Sequence, residues 1–596
     1  MKKRILFLAS CSLISIWLVN CNSGGNEAEN SISTDPVVIE TGQNIFAERC
    51  TGCHNFKLDG IGPQLGGVTS VHSAEWIKKF ISNPKQVIES GDTTAKKLIK
   101  QYKLVMPSFE NLPDSDLTAV IAYINIQKVH VRPTVVIDTN DIKNPIPDSI
   151  TTSGLVVSID SLTQIPASSD QAPLARITKL DYQPNTGDIF ILDLRGKLYK
   201  LQDGEPKVYM DMAALRPKFV NQPGLATGFG SFAFHPEFAK NGLLYTTHTE
   251  PPGSGKADFS YADSIPVVLQ WVLTEWKTDP GKFPFSGTGR EILRIDMPSG
   301  IHGVQEITFD RLAKPGDDNY GLLYVGIGDG GGSEIGYPLT LDSPRRLWGS
   351  IIRIDPSGHN SKNGQYGIPP GNPFAQMDPD KYAREVYAYG FRNPHRISWS
   401  TSGQMIAVNI GQTNIESVNL VLPDHFYGWP LREGTFAERF FNETGKIYPL
   451  PPNDSIYHVT YPVAQFDHDE GTAICGGFEY RGNAIPELKG KFLFGDIASG
   501  KLFFVNMKDL KIGKQATIKK WNISYKGQPT TLVKLSGNNR VEMRFGMDGK
   551  GELYILTKAD GKVYKLMSAT MKSSIIFLYI KLTIDPSNNQ KITINE

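Results

Sequence analysis

The sequence predicts a multidomain chain: a small all-α domain followed by an all-β six-bladed β-propeller. Three observations predict it. The chain has 596 residues, more than one compact domain ordinarily holds. An early region carries "CTGCH" at Cys50–His54 and closes on an apolar stripe at helical spacing: Leu117, Val120, Ile121 and Ile124. Beyond it, a strand–turn–strand pattern recurs six times. The 57 glycines and 39 prolines supply the turns that an all-β domain needs. With 62 basic against 61 acidic side chains, there is no charge excess to serve a nucleic-acid partner.

Residues 1–20 read as an export signal. Lys2, Lys3 and Arg4 precede an apolar run from Ile5 to Val19, shorter than the ~20 residues a spanning helix needs. The run ends in Leu18-Val19-Asn20-Cys21, which resembles a bacterial lipobox with Cys21 as the lipidated residue. Asn20 is larger than the usual small residue there, so an ordinary cleaved signal with an incidental Cys is the other reading. Residues 21–34 are too poor in apolar side chains to fold and suit a flexible tether. The expected location is the bacterial cell envelope, at the periplasmic side or cell surface, held to the membrane by lipid.

Residues 35–130 form the small domain. In a Cys-x-x-Cys-His run, Cys50 and Cys53 can each form a thioether with haem, and His54 can ligate its iron. "GQNIFAERC" leads in with helix formers, "LDGIGPQLGGV" is a glycine-rich loop, and "WIKKFISNP" reads as a short helix ended by Pro84. Met106, in Met-Pro-Ser-Phe, precedes the terminal helix. This arrangement resembles class I c-type cytochromes. The resemblance implies covalent haem c, with Met106 as the second axial ligand and an electron-transfer role. Of the remaining cysteines, Cys11 leaves with the signal, and Cys475 reads as a small buried apolar residue.

Residues 131–165 contain prolines and no sustained period, and read as a linker. From 166 to 567 the repeat appears as "LDYQPNTGDIFILDLRGKLYKL", "FAFHPEFAKNGLLYTTH", "ITFDRLAKPGDDNYGLLYVGIGDGG", "ISWSTSGQMIAVNIG", "FEYRGNAIPELKGKFLFGDIASGKLFFV" and "MRFGMDGKGELYILTKADGKVYKL". Six such units suggest six blades, with functional residues scattered over several loops at the central channel. The tail, 568–596, has no assigned role.

The loops "FAFHPEF", "GLLYVGIGDGGG", "WGSIIRIDP", "YAYGFRNPHRISW", "NIGQTNIESVNLV", "FYGWP" and "GGFEYRG" appear in order. Together they resemble the soluble-type glucose/sorbosone dehydrogenases that use pyrroloquinoline quinone (PQQ), a family that includes aldose sugar dehydrogenases and Hedgehog-interacting-protein-like propellers. The resemblance implies that Arg392, Asn393 and Arg481 bind the PQQ carboxylates, a task suited to a planar guanidinium fork. It implies calcium on the backbone carbonyls of Gly411 and Gln412, with Glu416 behind that loop. It also implies His302 as the base that takes the substrate hydroxyl proton. His235 reads as a structural turn residue. Ile301, Ala226 and Ile410 depart from the family pattern and put glucose itself, and PQQ, in question.

The expected function is a PQQ- and calcium-dependent dehydrogenase for an aldose sugar or related small alcohol. It would pass electrons to its own haem and on to a downstream acceptor of a respiratory chain. The alternative is a non-catalytic carbohydrate- or protein-binding propeller tethered to a cytochrome.

Overall fold

The Asp35 side chain accepts from the Val37 amide and opens helix α1 (Pro36–Arg49), with Pro36 in the first turn, where no amide partner is needed. The computed structural model describes residues 32–50, 54, 56, 62–102, 105–127, 140–222, 224, 226–262, 265–335, 340, 344–439 and 445–571. Helices α2 (Ala74–Ser82), α3 (Pro84–Glu89), α4 (Thr93–Tyr102) and α5 (Asp114–Asn125) complete the small domain. Helix α2 stops at Ser82, just before Pro84, as the sequence suggested, but Pro84 has a second role. It begins α3, and Asn83 caps that helix by accepting from the Gln86 amide at 3.1 Å. Helix α5 buries Leu117, Val120, Ile121 and Ile124, the stripe read from the sequence, and packs against α1.

The large domain is built of antiparallel sheets. Each of the six repeat copies supplies two neighbouring strands of a sheet. The first of each pair are Ile177–Tyr182, Phe229–Phe234, Glu306–Phe309, Pro394–Trp399, Ile474–Glu479 and Met543–Met547. Each of these inner strands contacts the next, and the last contacts the first, so they close a ring. The sheets themselves do not divide into six equal units. Four are four-stranded, the last two copies share one nine-stranded sheet, and a three-stranded ribbon lies apart. Apolar clusters lie between neighbouring sheets, and another fills the fold of the nine-stranded sheet; together they form the core.

The strand Thr152–Gln164 corrects the expected linker. It pairs antiparallel with Lys562–Met571 and parallel with Lys519–Tyr525, and so ties the start of the large domain to its end. Leu155, Val157 and Ile159 are buried while Val156 and Ser158 between them are partly exposed, a period of two that the nearby prolines obscured.

The small domain sits on the large one. Arg49 Nη1 donates to the Ala172 carbonyl. A cavity of about 580 Å³ is lined by Met106, Pro107 and Ser108 on one side and by His468, Thr472, Asp496 and Arg540 on the other. Thr472 and Arg540 immediately precede inner strands, so the small domain covers the end of the ring where those strands begin. No described helix is long and apolar enough to cross a membrane.

Candidate active site

Three of the four residues expected to hold haem line one cavity of about 500 Å³ in the small domain. Cys50, His54 and Met106 reach it, among apolar walls from Phe46, Trp76, Val120 and Ile124. The Nδ1 of His54 lies 2.8 Å from the Pro63 carbonyl, a bond that fixes the ring and leaves Nε2 for a metal. Burial pulls the His54 pKa down, with the Pro63 bond opposing, so the imidazole is neutral as iron ligation requires. Gly62 lies against that ring: a Cβ there would come within 2.4 Å of it. The cavity, with His54 and Met106 in its wall and an apolar lining, fits haem. Cys53 and Cys21 lie outside the described residues.

His302 occupies the turn before the inner strand Glu306–Phe309. Its φ is +50°, the left-handed region that side chains other than glycine enter at a cost. The glycine-rich turn after Leu323–Ile327 holds it there. The Gly330 amide donates to the His302 carbonyl at 3.1 Å, and a Cβ on Gly328 would strike that carbonyl at 2.3 Å. In the same turn, Asp329 stands 2.8 Å from His302 Nδ1. Asp329 also accepts from Trp429 Nε1 at 3.1 Å and from the Gly331 amide at 2.9 Å. Burial pushes the Asp329 carboxyl up, but His302 and Arg392 outweigh it and hold it below its usual range. An ionised Asp329 can only accept, so His302 donates from Nδ1 and keeps Nε2 as its basic nitrogen.

Arg392 and Asn393 lie just before the inner strand Pro394–Trp399, at the same end of the ring. Asn409 Oδ1 accepts from both of their amides and shapes the corner. The Arg392 guanidinium donates from Nε to Gln412 Oε1 at 2.7 Å, from Nη1 to the Gly411 carbonyl at 2.5 Å, and from Nη2 to Glu334. The Gly411–Gln412 loop is held from beneath. Glu416 accepts from the Gly411 amide at 3.2 Å and bonds His468 at 3.1 Å. A single oxygen of Glu433 gathers the amides of Gln412, Thr413, Asn414 and Ile415.

Calcium does not fit this loop. The Gly411 carbonyl expected to bind it already accepts from a guanidinium, and a second cation there would face that fixed charge. Among the described residues no group of three metal-ligating side chains exists.

Arg481 is not brought to this site. It follows the inner strand Ile474–Glu479 and so emerges at the opposite end of the ring, among Tyr182, Arg311, Trp399 and Met547. There its Nη2 lies 3.0 Å from the Met547 sulfur. The family resemblance gave it the same task as Arg392 through a different motif, but strand polarity separates them. His235 is a turn residue, as expected: Nδ1 accepts from the Glu237 amide and bonds Asn241. Cys475 is fully buried, and burial pushes its thiol up to about 12, which leaves it inert.

A second cationic group escaped the sequence reading. Arg540, Arg544 and Lys558 gather around the carboxylate of Glu542, and Arg176 lies close enough to act on Lys558. Burial, then Arg544, holds the Lys558 pKa far below its ordinary value. His395 is equally perturbed: burial first, then Arg544, Arg396, Lys558 and His302, push its pKa far down. Both ring nitrogens of His395, Arg544 Nε and Thr178 Oγ1 are buried without a hydrogen-bond partner among the described residues. Buried polar atoms of this kind ordinarily have partners, so the set fits an anionic, hydrogen-bonding ligand such as a tricarboxylate quinone. Arg540 and Arg544 share one segment, but Arg176 and Lys558 come from others, so no local pattern in the sequence joins all four. Asp329 and Trp429 sit inside "GIGDGGG" and "FYGWP", where an acid among glycines after a strand was the available signal.

Comparison with known proteins agrees with this architecture. The family model described as Glucose / Sorbosone dehydrogenase matches residues 174–565, and that of Cytochrome c matches residues 39–127. The chain is 25% identical over 380 residues to the HIPL1 protein of Arabidopsis thaliana, covering 55% of this chain and 52% of that one. It is 22% identical over 230 residues to quinoprotein glucose dehydrogenase B of Acinetobacter calcoaceticus, covering 36% and 42%. The chain thus spans about half the length of the curated relatives it matches. Among solved structures, the PQQ-bound aldose sugar dehydrogenase of Streptomyces coelicolor aligns at a TM-score of 0.45 and 19% identity, over 69% of this chain and 98% of that one. On the extent of the first match, this chain belongs to the glucose/sorbosone dehydrogenase family, and a cytochrome c domain precedes that part.

Proposed function

We propose that the chain is an exported, lipid-anchored dehydrogenase that oxidises an aldose sugar or related small alcohol with PQQ. Electrons pass singly to its own haem c and then to a downstream acceptor. The observation that carries this reading is the His302–Asp329 pair, at the end of the ring that the Met106 cavity faces. PQQ, when bound, supplies a quinone that accepts hydride from the sugar carbon. His302 takes the hydroxyl proton at Nε2, and Asp329 and Trp429 keep the ring oriented for it. The cations Arg176, Arg540, Arg544 and Lys558 suit the carboxylates, as do Arg392 and Asn393 by the family pattern. His54 and Met106 would hold the haem iron, with Cys50 and Cys53 as its thioether anchors. The closed ring of six inner strands supports a six-bladed propeller, in which the shared nine-stranded sheet joins the first and last parts of the domain. No calcium step is included, because Arg392 holds the Gly411 carbonyl.

One observation favours the second reading, a binding propeller. Arg392 is already engaged by Gly411, Gln412 and Glu334, which would displace a cofactor from it. The test is a screen of aldoses for haem reduction by the full chain loaded with haem and PQQ. Reduction at a rate independent of protein concentration supports a fused acceptor. A chain that takes up no PQQ supports the binding propeller. Replacing Cys21 by Ser should release the protein from membranes, and unchanged retention would remove the lipid anchor from this reading.

A further inference from the structure

Helix α4 walls the haem cavity on one side and meets solvent on the other. Ala95, Leu98, Ile99 and Tyr102 line the cavity, at the i, i+3, i+4 and i+7 positions of one face. Lys96, Lys97 and Lys100 stand exposed on the other face. The helix carries no acidic residue. Elsewhere in the domain, Lys78, Lys79 and Lys85 each face a carboxylate, of Asp114, Glu75 and Glu89. Among the described residues, no carboxylate pairs with the three lysines of α4. Like charges four apart on a helix repel, so α4 itself gains nothing from setting Lys96 beside Lys100.

An aromatic ladder adjoins this helix. His72 stacks on Trp76 at 4.5 Å and Trp76 on Phe80 at 5.0 Å, and all three line the haem cavity. Trp76 Nε1 donates to Asp92 at 3.1 Å, and Asp92 accepts from the Ala95 amide at the start of α4, so ladder and helix form one surface. Val71, next to His72, is 73% exposed. The large domain faces the Met106 loop, and neither the α4 lysines nor His72 and Trp76 line the cavity between the domains.

We propose that the α4 face docks an acidic one-electron redox protein, which takes the electron that the haem has received. The proposal rests on haem in the small domain. The lysines supply charge complementarity, and Val71 an apolar contact. A helix with its side chains is about 10 Å thick, so a partner seated on α4 stands one helix away from the haem cavity. Transient redox encounters need only a small contact and use charge to speed association. The haem gives up one electron, ferrous to ferric, and the partner's oxidised metal centre gains it, with no bond made or broken. An anionic membrane would also meet the lysines, but it accepts no electron.

The test uses the full haem-loaded chain carrying Cys21→Ser in every protein, so that no lipid anchor competes. The haem is reduced chemically, without sugar or PQQ. Stopped-flow spectroscopy follows its oxidation by an acidic and by a basic blue-copper protein at low and high salt, and sedimentation with phosphatidylserine vesicles is measured alongside. Oxidation by the acidic protein should slow about tenfold or more as salt rises, and oxidation by the basic protein should not. Lys96→Glu, Lys97→Glu and Lys100→Glu together should lower the low-salt rate with the acidic protein by about 10–10³-fold and leave the haem spectrum unchanged. The same reversal at Lys508, Lys511 and Lys514, exposed on the large domain, alters net charge equally and should leave the rate near native. Equal losses in the two variants would assign the effect to net charge and overturn the docking face. Native rates in the α4 variant with vesicle binding lost would give the face to a membrane, and native rates with unchanged vesicle binding would leave it a solvated surface. A chain without haem absorbance would overturn the haem reading and this proposal together, whereas a haem-bearing chain insensitive to α4 overturns the proposal alone.

Discussion

His302 Nδ1 and Asp329 Oδ1 stand 2.8 Å apart, and the aspartate is in turn held by the indole of Trp429. This order of donors leaves His302 one basic nitrogen, on a turn held in the left-handed region. His302→Gln should therefore lower kcat by about 10²–10⁴-fold while PQQ affinity stays near native. Asp329→Asn should cost about 10–100-fold by releasing the ring, and should shift the pH–rate profile. Near-native kcat in His302→Gln would mean that the base lies elsewhere.

Met106 and His54 line the same cavity, whose only other sulfur among the described residues is that of Cys50. Met106→Ala should convert a low-spin spectrum to one with an open or replaced sixth position and lower the reduction potential. Acid–acetone should fail to extract the haem from either protein, because Cys50 and Cys53 would hold it covalently. Extraction into the organic phase would refute the thioethers.

The contact between Arg392 and the Gly411 carbonyl carries a prediction about calcium. Millimolar calcium should leave the thermal midpoint of the ligand-free chain unchanged, and so should a chelator. Ala at position 392 would free the carbonyl, and calcium should then stabilise the variant. A clear calcium-dependent rise in the native chain would show that the ion displaces the guanidinium.

His468 links the Gly411 loop, through Glu416, to the cavity facing Met106. Burial draws its pKa down, but Glu416, with Glu433 and Asp496, more than offsets this and leaves it raised. A group raised in the folded state adds stability that is complete below its unfolded value, ~6.5, and is lost as pH rises through the folded value. The native chain should thus lose thermal stability as pH climbs above ~6.5, and His468→Gln should lose less over the same interval. Parallel curves for the two proteins would remove His468 as the source.

Much of this protein was legible in its sequence because the signals are local. The spacing of Cys50, Cys53 and His54, the stripe of α5, and the six strand–turn–strand copies each lie within a few tens of residues. Their periods of 3.6 and 2 follow from backbone geometry alone. His302, Arg392, Asn393, Gly411 and Glu416 were found through short loop patterns, and the structure brings them to one end of the ring. Tertiary structure decided the rest. Arg481 looked like a partner of Arg392, but every inner strand runs the same way from one end of the ring, so a residue after a strand cannot join residues before one. Thr152–Gln164 read as linker, because its pairing partners lie hundreds of residues away. The cluster of Arg176, Arg540, Arg544 and Lys558 needed ring closure. Charge density at a site depends on distances in space, which a linear order of residues does not contain.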